Sequence, residues 1–150
     1  MKIRVTKEFD FEAAHALDGY AGKCQDIHGH NYHLSLTFLG EPEKDKSVSN
    51  TGMVVDFGDI KDFLTKKIKP LFDHRLILRS DSRFLGLERK NERIRYVDYQ
   101  PTTENMLLEI VEIVSNGFEK NTKAVLCSAF LRETPSSYVE WHKKDQKKNF

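Results

Sequence analysis

The sequence is poor in cysteine and has no long apolar run. Only two of its 150 residues are cysteine, Cys24 and Cys127, which argues against a disulfide scaffold and for two reduced thiols. No stretch approaches the roughly 20 apolar residues that span a bilayer. The first residues, MKIRVTKEFDF, alternate charged and apolar side chains and lack the apolar block of a signal peptide. We therefore expect a cytoplasmic protein with no membrane partner.

The sequence also lacks an excess of charge of either sign. Lys and Arg together number 24, Asp and Glu together number 23, and the formal net charge is +1. This balance gives no reason to expect nucleic acid or an acidic membrane surface as a partner. The basic run KKDQKK near the C-terminus is typical of a solvated tail, which we place at about residues 143–150.

One domain is expected over residues 1–150. The chain is long enough to bury a core and too short for two comfortable domains. It shows no internal repeat, no low-complexity block and no linker rich in proline, glycine or serine. The whole chain is therefore interpreted as a single unit.

Two strands are predicted in the first 40 residues. The odd positions from Ile3 to His15 are mostly apolar, with Lys7 as the break, and this period of two indicates a half-buried strand. The even positions from His28 to Phe38 repeat the pattern and predict a second strand over about 28–39. The polar, turn-rich segment 41–52 that follows is predicted to be a loop.

Two helices and two more strands follow. The first helix is predicted from Asp56 to Pro70, and the second follows Pro101 with Thr102 or Thr103 as its cap. Each carries an apolar stripe at helical spacing: Ile60, Phe63, Leu64 and Ile68 in the first, and Met106, Leu107, Ile110, Val111 and Val114 in the second.

Strands are predicted over 123–133 and 137–142. The order ββααββ then predicts an α+β fold, a four-stranded antiparallel sheet with two helices on one face.

The placement of three histidines predicts a metal site. His28 and His30 are two residues apart, so both rings leave the same face of their strand. His15 ends the first strand on its own apolar face. If the two strands pair, the three rings can converge and leave a fourth tetrahedral position open, as in a catalytic zinc site.

The three histidines have two alternative interpretations. They could be ordinary polar residues at strand ends with local hydrogen bonds. A cupin-type site also uses the pattern H-x-H, but it needs a glutamate a few residues further along the strand. Residues 31–39 contain no acid, which argues against a cupin.

Cys24 is the candidate reactive thiol. It lies in the loop DGYAGKCQDIHGH, four residues before His28, where a divalent cation and Lys23 would favour the thiolate that serves as base or nucleophile. The alternatives are a zinc ligand or an inert thiol. Cys127, in the apolar run AVLCSAF, is predicted to be a core residue.

Several acidic residues are further candidates. Asp73 precedes His74, and such a pair can form a poised acid and base. Glu133 ends a predicted strand on its apolar-facing side, where a carboxylate needs a partner. A ligand edge with adjacent N–H donors would suit it, and Arg132 or Arg75 is the ordinary alternative. Glu104 could simply be an acid in the first turn of a helix.

Six motifs in order resemble the 6-pyruvoyl-tetrahydropterin synthase family. They run from Phe11 to Trp141: FEAAH, C-x3-HGHNY, GMVVDFGDIK, DH-x-LIL, PTTEN and RETPSSYVEW. The resemblance implies the tunnelling fold (T-fold), a homohexamer with active sites between subunits, and a pterin triphosphate as substrate. It also implies roles for individual residues: zinc ligands His15, His28 and His30; proton acceptor Cys24; proton relay Asp73 and His74; and pterin contacts Glu133, Thr103 and Glu104.

The C-x3-HGH spacing resembles the bacterial branch of the family. That branch makes 6-carboxy-5,6,7,8-tetrahydropterin for queuosine and other 7-deazaguanines, whereas the animal branch makes 6-pyruvoyl-tetrahydropterin and tends to have a longer gap. Two features depart from the bacterial pattern. Gln25 and Asp26 stand where a glycine and a basic residue are common, which puts a carboxylate near the expected triphosphate path, and the segment 79–100 is long. A module that binds zinc and pterin without catalysis is the alternative from another class.

Overall fold

The computed structural model describes residues 1–87 and 93–146. Within these residues, six strands occur as three consecutive pairs separated by helices, and short 3-10 turns lie at 23–25, 119–121 and 143–145. The strands are β1 (Ile3–His15), β2 (His28–Gly40), β3 (Arg75–Arg79), β4 (Ile94–Val97), β5 (Val125–Thr134) and β6 (Ser137–His142). The helices are α1 (Phe57–Phe63), a π-helical turn (Leu64–Ile68), α2 (Lys69–Phe72) and α3 (Thr103–Gly117).

The sheet differs from the predicted four antiparallel strands. Within the described residues it has six strands in the order β4-β3-β1-β2-β5-β6, and β3 pairs in parallel with both β1 and β4. The strand count and the order ββααββ were therefore wrong. Strand β3 was missed because Leu76, Ile77 and Leu78 form a short apolar run without alternation. Such a run is typical of parallel strands but is ambiguous in sequence.

The antiparallel pairing of β1 with β2 sets the geometry of the site. Its register places His15 opposite His28 and Ala13 opposite His30. Since side chains alternate between the two faces of a sheet, these residues share the face that also carries Phe11 and Tyr32. The predicted alternation of both strands is confirmed.

The helices cover that same face. Buried residues of the helical segment 57–72 and of α3 pack in one core with the strands: Ile60, Leu64, Ile68, Phe72, Met106, Leu107, Ile110, Val111 and Val114 against Phe11, Tyr32, Leu34, Leu36, Phe38, Leu126, Ala129 and Leu131. Helix α3 begins after Thr102, whose hydroxyl accepts a hydrogen bond from the backbone N–H of Asn105 and which is thus the cap, and it ends at Gly117.

The first helical segment runs past its predicted end. Asp56 caps it by accepting a hydrogen bond from the N–H of Gly58, as expected, but the helical backbone continues through Pro70 to Phe72. Pro70 is tolerated because it lies in the first turn of α2, after the π-helical turn, where its missing N–H costs no hydrogen bond.

The predicted charged tail at 143–150 lies partly outside the described residues. Residues 143–145 form a 3-10 turn, and Nζ of Lys143 lies 2.7 Å from a carboxylate oxygen of Glu119. Residues 147–150 fall outside the described part of the chain, as do residues 88–92 of the long segment between β3 and α3.

Candidate metal centre and adjoining cleft

His15, His28 and His30 converge as the sequence predicted. Each offers a ring nitrogen, and the three nitrogens lie within 4.8 Å of one another. Nε2 of His15 is 3.0 Å from Nε2 of His28, and His15 is 2% exposed. The three histidines can therefore hold one metal ion.

Backbone carbonyls orient two of the three rings. Nδ1 of His15 lies 2.7 Å from the carbonyl oxygen of Pro101, and Nδ1 of His28 lies 2.7 Å from that of Asp26. A carbonyl oxygen can only accept, so both Nδ1 atoms carry the proton and both Nε2 atoms present lone pairs. Two facing lone pairs repel each other, and a cation bound to both removes the repulsion.

The third ring supplies a further sign that a cation fits. Nε2 of His30 is buried and has no hydrogen-bond partner within the described residues. It lies 3.6 Å from Oε1 of Glu133, too far for a hydrogen bond. A buried nitrogen left without a partner is costly in a finished fold, and metal ligation would satisfy it.

His15 and His30 are also held in the neutral form that metals bind. Burial lowers the pKa of His15, the hydrogen bond to Pro101 opposes this effect, and the neighbouring His28 adds to it. Burial also lowers the pKa of His30, against the attraction of Glu133. Neutral imidazoles near neutral pH fit a metal site and need no counter-ion.

Glu133 lies beside the histidines and is held by two hydroxyl groups. Its Oε1 accepts a hydrogen bond of 2.7 Å from Thr103 and a longer one of 3.4 Å from Tyr32. The Tyr32 side chain is fully buried, and burial together with Glu133 raises the pKa of its hydroxyl. From the sequence, Tyr32 was expected only as one of the alternating residues of the second strand. Its place two residues after His30, on the same face, was the signal that could have identified it.

One cleft joins most of the predicted site residues. It encloses about 320 Å³, and Cys24 lines it together with His15, Glu133, Thr103 and Glu104. Cys24 lies in the 3-10 turn 23–25 that precedes β2, while Thr103 and Glu104 begin α3. Four elements, β1, the turn 23–25, α3 and β5, thus bring His15, a thiol and a carboxylate to one cleft.

His74 lines a different cleft, next to Asp73 in the chain. That cleft, of about 530 Å³, is also lined by His30, and by Glu12 and Asn31, which alternate with the histidines along β1 and β2 and lie on the opposite face of the sheet. His74 is 61% exposed, and its Nδ1 lies 3.0 Å from Oδ1 of Asp73. Cys24 does not line this cleft, and His74 does not line the cleft of Cys24.

The backbone of His74 is unusual. Its φ of +56° is uncommon for a residue with a side chain, and its N–H donates a 2.6 Å hydrogen bond to the carbonyl of Glu12 that holds it there. Burial alone would raise the pKa of the Asp73 carboxyl, but hydrogen bonds from the Glu12 N–H and from His74 outweigh it and lower the pKa. Asp73 is thus an ionised partner that orients the His74 ring.

The remaining sequence expectations concern Cys127 and Asp26. Cys127 is partly buried, and its thiol donates to the carbonyl of Thr37 at 3.3 Å, on the sheet and away from the cleft. The carboxylate of Asp26 lies 2.8 Å from Nη2 of Arg83. Its charge is therefore paired. Among the described residues, no helix is long and apolar enough to cross a membrane.

The family model for 6-pyruvoyl tetrahydropterin synthase matches residues 4–144. Similar curated proteins are named 6-carboxy-5,6,7,8-tetrahydropterin synthase. The protein from Rickettsia bellii is 33% identical over 141 residues, which covers 92% of this chain and 99% of the relative. The protein from Haemophilus influenzae is 33% identical over 144 residues, with coverage of 93% and 98%.

Solved structures show the same fold. The 6-pyruvoyl tetrahydropterin synthase of Caenorhabditis elegans matches with a TM-score of 0.66 and 22% identity, covering 95% of this chain and 96% of that one. The Plasmodium vivax 6-pyruvoyl tetrahydropterin synthase matches with a TM-score of 0.67 and 22% identity, covering 95% and 98%. The tunnelling fold expected from the sequence is confirmed, with six strands in place of four.

Proposed function

This chain belongs to the 6-pyruvoyl tetrahydropterin synthase family, and we propose that it is a zinc-dependent 6-carboxy-5,6,7,8-tetrahydropterin synthase. Its substrate would be 7,8-dihydroneopterin triphosphate, and its products 6-carboxytetrahydropterin, acetaldehyde and triphosphate. The observation that carries the proposal is the shared cleft, in which Cys24 and Glu133 lie with His15, one member of the histidine cluster.

Glu133 is the proposed anchor of the pterin ring. A carboxylate accepts two parallel hydrogen bonds from adjacent N–H groups, as the pterin edge offers them. Thr103 fixes one carboxylate oxygen, so the orientation of the anchor is set before the substrate arrives. Glu104, in the same cleft, is the proposed second contact.

His15, His28 and His30 are the proposed zinc ligands. Zinc bound there would polarise the side-chain hydroxyls of the substrate and make the adjacent carbon-bound protons more acidic. The carbonyls of Pro101 and Asp26 keep the ligand nitrogens of His15 and His28 unprotonated, which such a metal requires.

Cys24 is the proposed base, and His74 the proposed acid that returns a proton with Asp73 as its partner. Because Cys24 and His74 line separate clefts in one chain, the relay requires the Asp73–His74 pair of an adjacent copy. The proposal therefore includes a homo-oligomer, and family resemblance favours a hexamer. It also includes a cytoplasmic location, since Cys24 must stay a reduced thiol.

The product is the sharpest test of this proposal. Three residues separate Cys24 from His28, and this short tether restricts which substrate carbon the thiol can reach. We expect anaerobic incubation with dihydroneopterin triphosphate to yield 6-carboxytetrahydropterin by mass spectrometry and trapped acetaldehyde in equal amount. That pterin would then feed the synthesis of queuosine and other 7-deazaguanines.

The same experiment decides between this proposal and its rivals. A stoichiometric 6-pyruvoyl product without acetaldehyde would replace the proposed activity with the other branch, which eliminates triphosphate without carbon–carbon cleavage. No consumption of the substrate would favour a module that binds zinc and pterin without catalysis.

A further inference from the structure

Arg83 joins the long segment after β3 to the turn that carries Cys24. Its Nη2 donates hydrogen bonds of 2.8 Å to the carbonyl of Gln25 and 2.8 Å to the carboxylate of Asp26. Its backbone N–H donates to the carboxylate of Asp18 at 3.1 Å. Arg83 thus contacts the loop between β1 and β2 near both ends of that loop, at Asp18 and at Gln25 and Asp26.

These contacts fall between the proposed base and a proposed metal ligand. Gln25 and Asp26 directly follow Cys24, and the carbonyl of Asp26 accepts the hydrogen bond that orients the His28 ring. On the other side of the turn, the N–H of Leu17 donates to the carbonyl of Cys24 at 2.9 Å. Movement of the Gln25–Asp26 backbone would therefore displace the thiol and release the His28 ring.

The backbone on either side of Arg83 is itself held in place. Ser82 is buried, and its hydroxyl accepts a hydrogen bond from the N–H of Phe84. The amide group of Gln100 accepts from Arg79 at 3.3 Å and donates to the carbonyl of Asp18 at 2.9 Å. The start of the segment is thereby attached to the same loop at a second point.

We propose that Arg83 is a positioning residue that holds the Cys24 turn and the Asp26 carbonyl in their working arrangement. Its importance for turnover rests on the proposed role of Cys24. Two features that depart from the bacterial pattern, the long segment 79–100 and Asp26, then act together. The long segment supplies Arg83, and Asp26 pairs with Arg83 and makes no contact with the triphosphate. Because both side chains are about half or more exposed, the ion pair itself adds little to global stability. The effect of Arg83 is local.

The test measures Cys24 directly, without substrate. In a Cys127→Ala background, iodoacetamide labels only Cys24, and the zinc-loaded protein gives a labelling rate by mass spectrometry. We expect Arg83→Ala to raise this rate about fivefold, the factor that corresponds to one ordinary hydrogen bond. We expect kcat to fall about tenfold with KM changed less than about twofold, because the thiol is displaced while the pterin anchor is intact.

Two further variants serve as rescue and control. A single nitrogen of Arg83 makes both contacts, so Arg83→Lys should restore the labelling rate and most of kcat. Asp81→Ala removes an ion pair with Arg79 in the same segment without touching the Cys24 turn, and should leave both readouts unchanged. Asp26→Ala should raise the labelling rate less than Arg83→Ala does, because the Gln25 contact remains.

Labelling of Cys24 at the wild-type rate in Arg83→Ala would overturn the proposal. If KM rises while the labelling rate is unchanged, Arg83 is a substrate contact and the proposal is likewise overturned. Tighter binding of substrate by Asp26→Ala would overturn the role given to Asp26. Since labelling needs no substrate, it tests the proposal even if the wild-type protein proves inactive toward dihydroneopterin triphosphate.

Discussion

The hydroxyl of Thr103 donates a 2.7 Å hydrogen bond to Oε1 of Glu133. Thr103 is the first residue of α3 and is 6% exposed, and Glu133 lies near the end of β5. Tyr32 approaches the same oxygen from β2. The carboxylate is therefore oriented by two elements outside its own strand, which is the preorganisation that a ligand anchor needs.

Glu133→Gln should weaken pterin binding more than it disturbs folding. Thr103 can still donate to the amide oxygen, but the amide NH2 would face an N–H of the ring, a loss of roughly 1–3 kcal/mol in binding free energy. Calorimetric titration with a pterin ligand measures it. Glu112→Gln, an exposed change on α3, is the control. Unchanged affinity in Glu133→Gln would place the anchor elsewhere.

The double variant His28→Ala/His30→Ala should lose its zinc. Two of the three ring nitrogens that lie within 4.8 Å of one another are removed, and the remaining His15 cannot hold the ion alone. Elemental analysis of the purified protein gives the zinc content. His33→Ala, on the same strand but on the opposite face beside Asp10, should keep one zinc per subunit. Full occupancy in the double variant would disprove the ligand assignment.

Cys24→Ala should bind zinc and pterin but lose turnover, because the thiolate is proposed as the base and not as a ligand. Steady-state kinetics and zinc analysis together separate the two roles. Cys127→Ala, the matched change on β5, should retain activity with a packing cost of about 1 kcal/mol in unfolding free energy. Near-normal turnover or loss of zinc in Cys24→Ala would mean that its assigned role is wrong.

The metal-free protein should lose stability as the pH falls below about 6.5. Burial lowers the pKa values of His15 and His30 below the ordinary histidine value of 6.5, so in this window the unfolded chain binds protons that the folded chain does not. The contribution of these two histidines to the free energy of unfolding is fully present above pH 6.5 and is lost as the pH falls toward their lowered folded-state pKa values. Urea unfolding of chelator-treated protein at several pH values measures the slope.

Removal of one of these groups provides the control for the pH effect. His30→Gln should make the slope shallower, while His33→Ala, whose pair with Asp10 is partly exposed, should leave the contribution of the buried pair in place. A stability that stays level through the pH window in the wild-type protein would contradict the buried neutral state of His15 and His30.

Local sequence pattern was enough for the main elements and for the metal cluster. The alternation from Ile3 to His15 and from His28 to Phe38 predicted two strands with the histidines on inward faces, and the structure confirms both. Helix α3 was equally clear, since its apolar stripe begins at Met106, one turn after the two candidate capping residues Thr102 and Thr103. These signals are short-range: one strand or one helix carries each of them completely.

The sequence by itself therefore determined the histidine cluster, because the β1–β2 pairing only has to bring two already patterned faces together. Tertiary structure decided the rest. Parallel pairing of β3 with β1 added strands that a short apolar run could not reveal, and it placed His74 in a cleft that Cys24 does not line. The Thr103–Glu133 bond and the contact of Arg83 with the Cys24 turn each join residues 30 or more positions apart. Such contacts depend on how the sheet and helices close around the core, and no local periodicity encodes them.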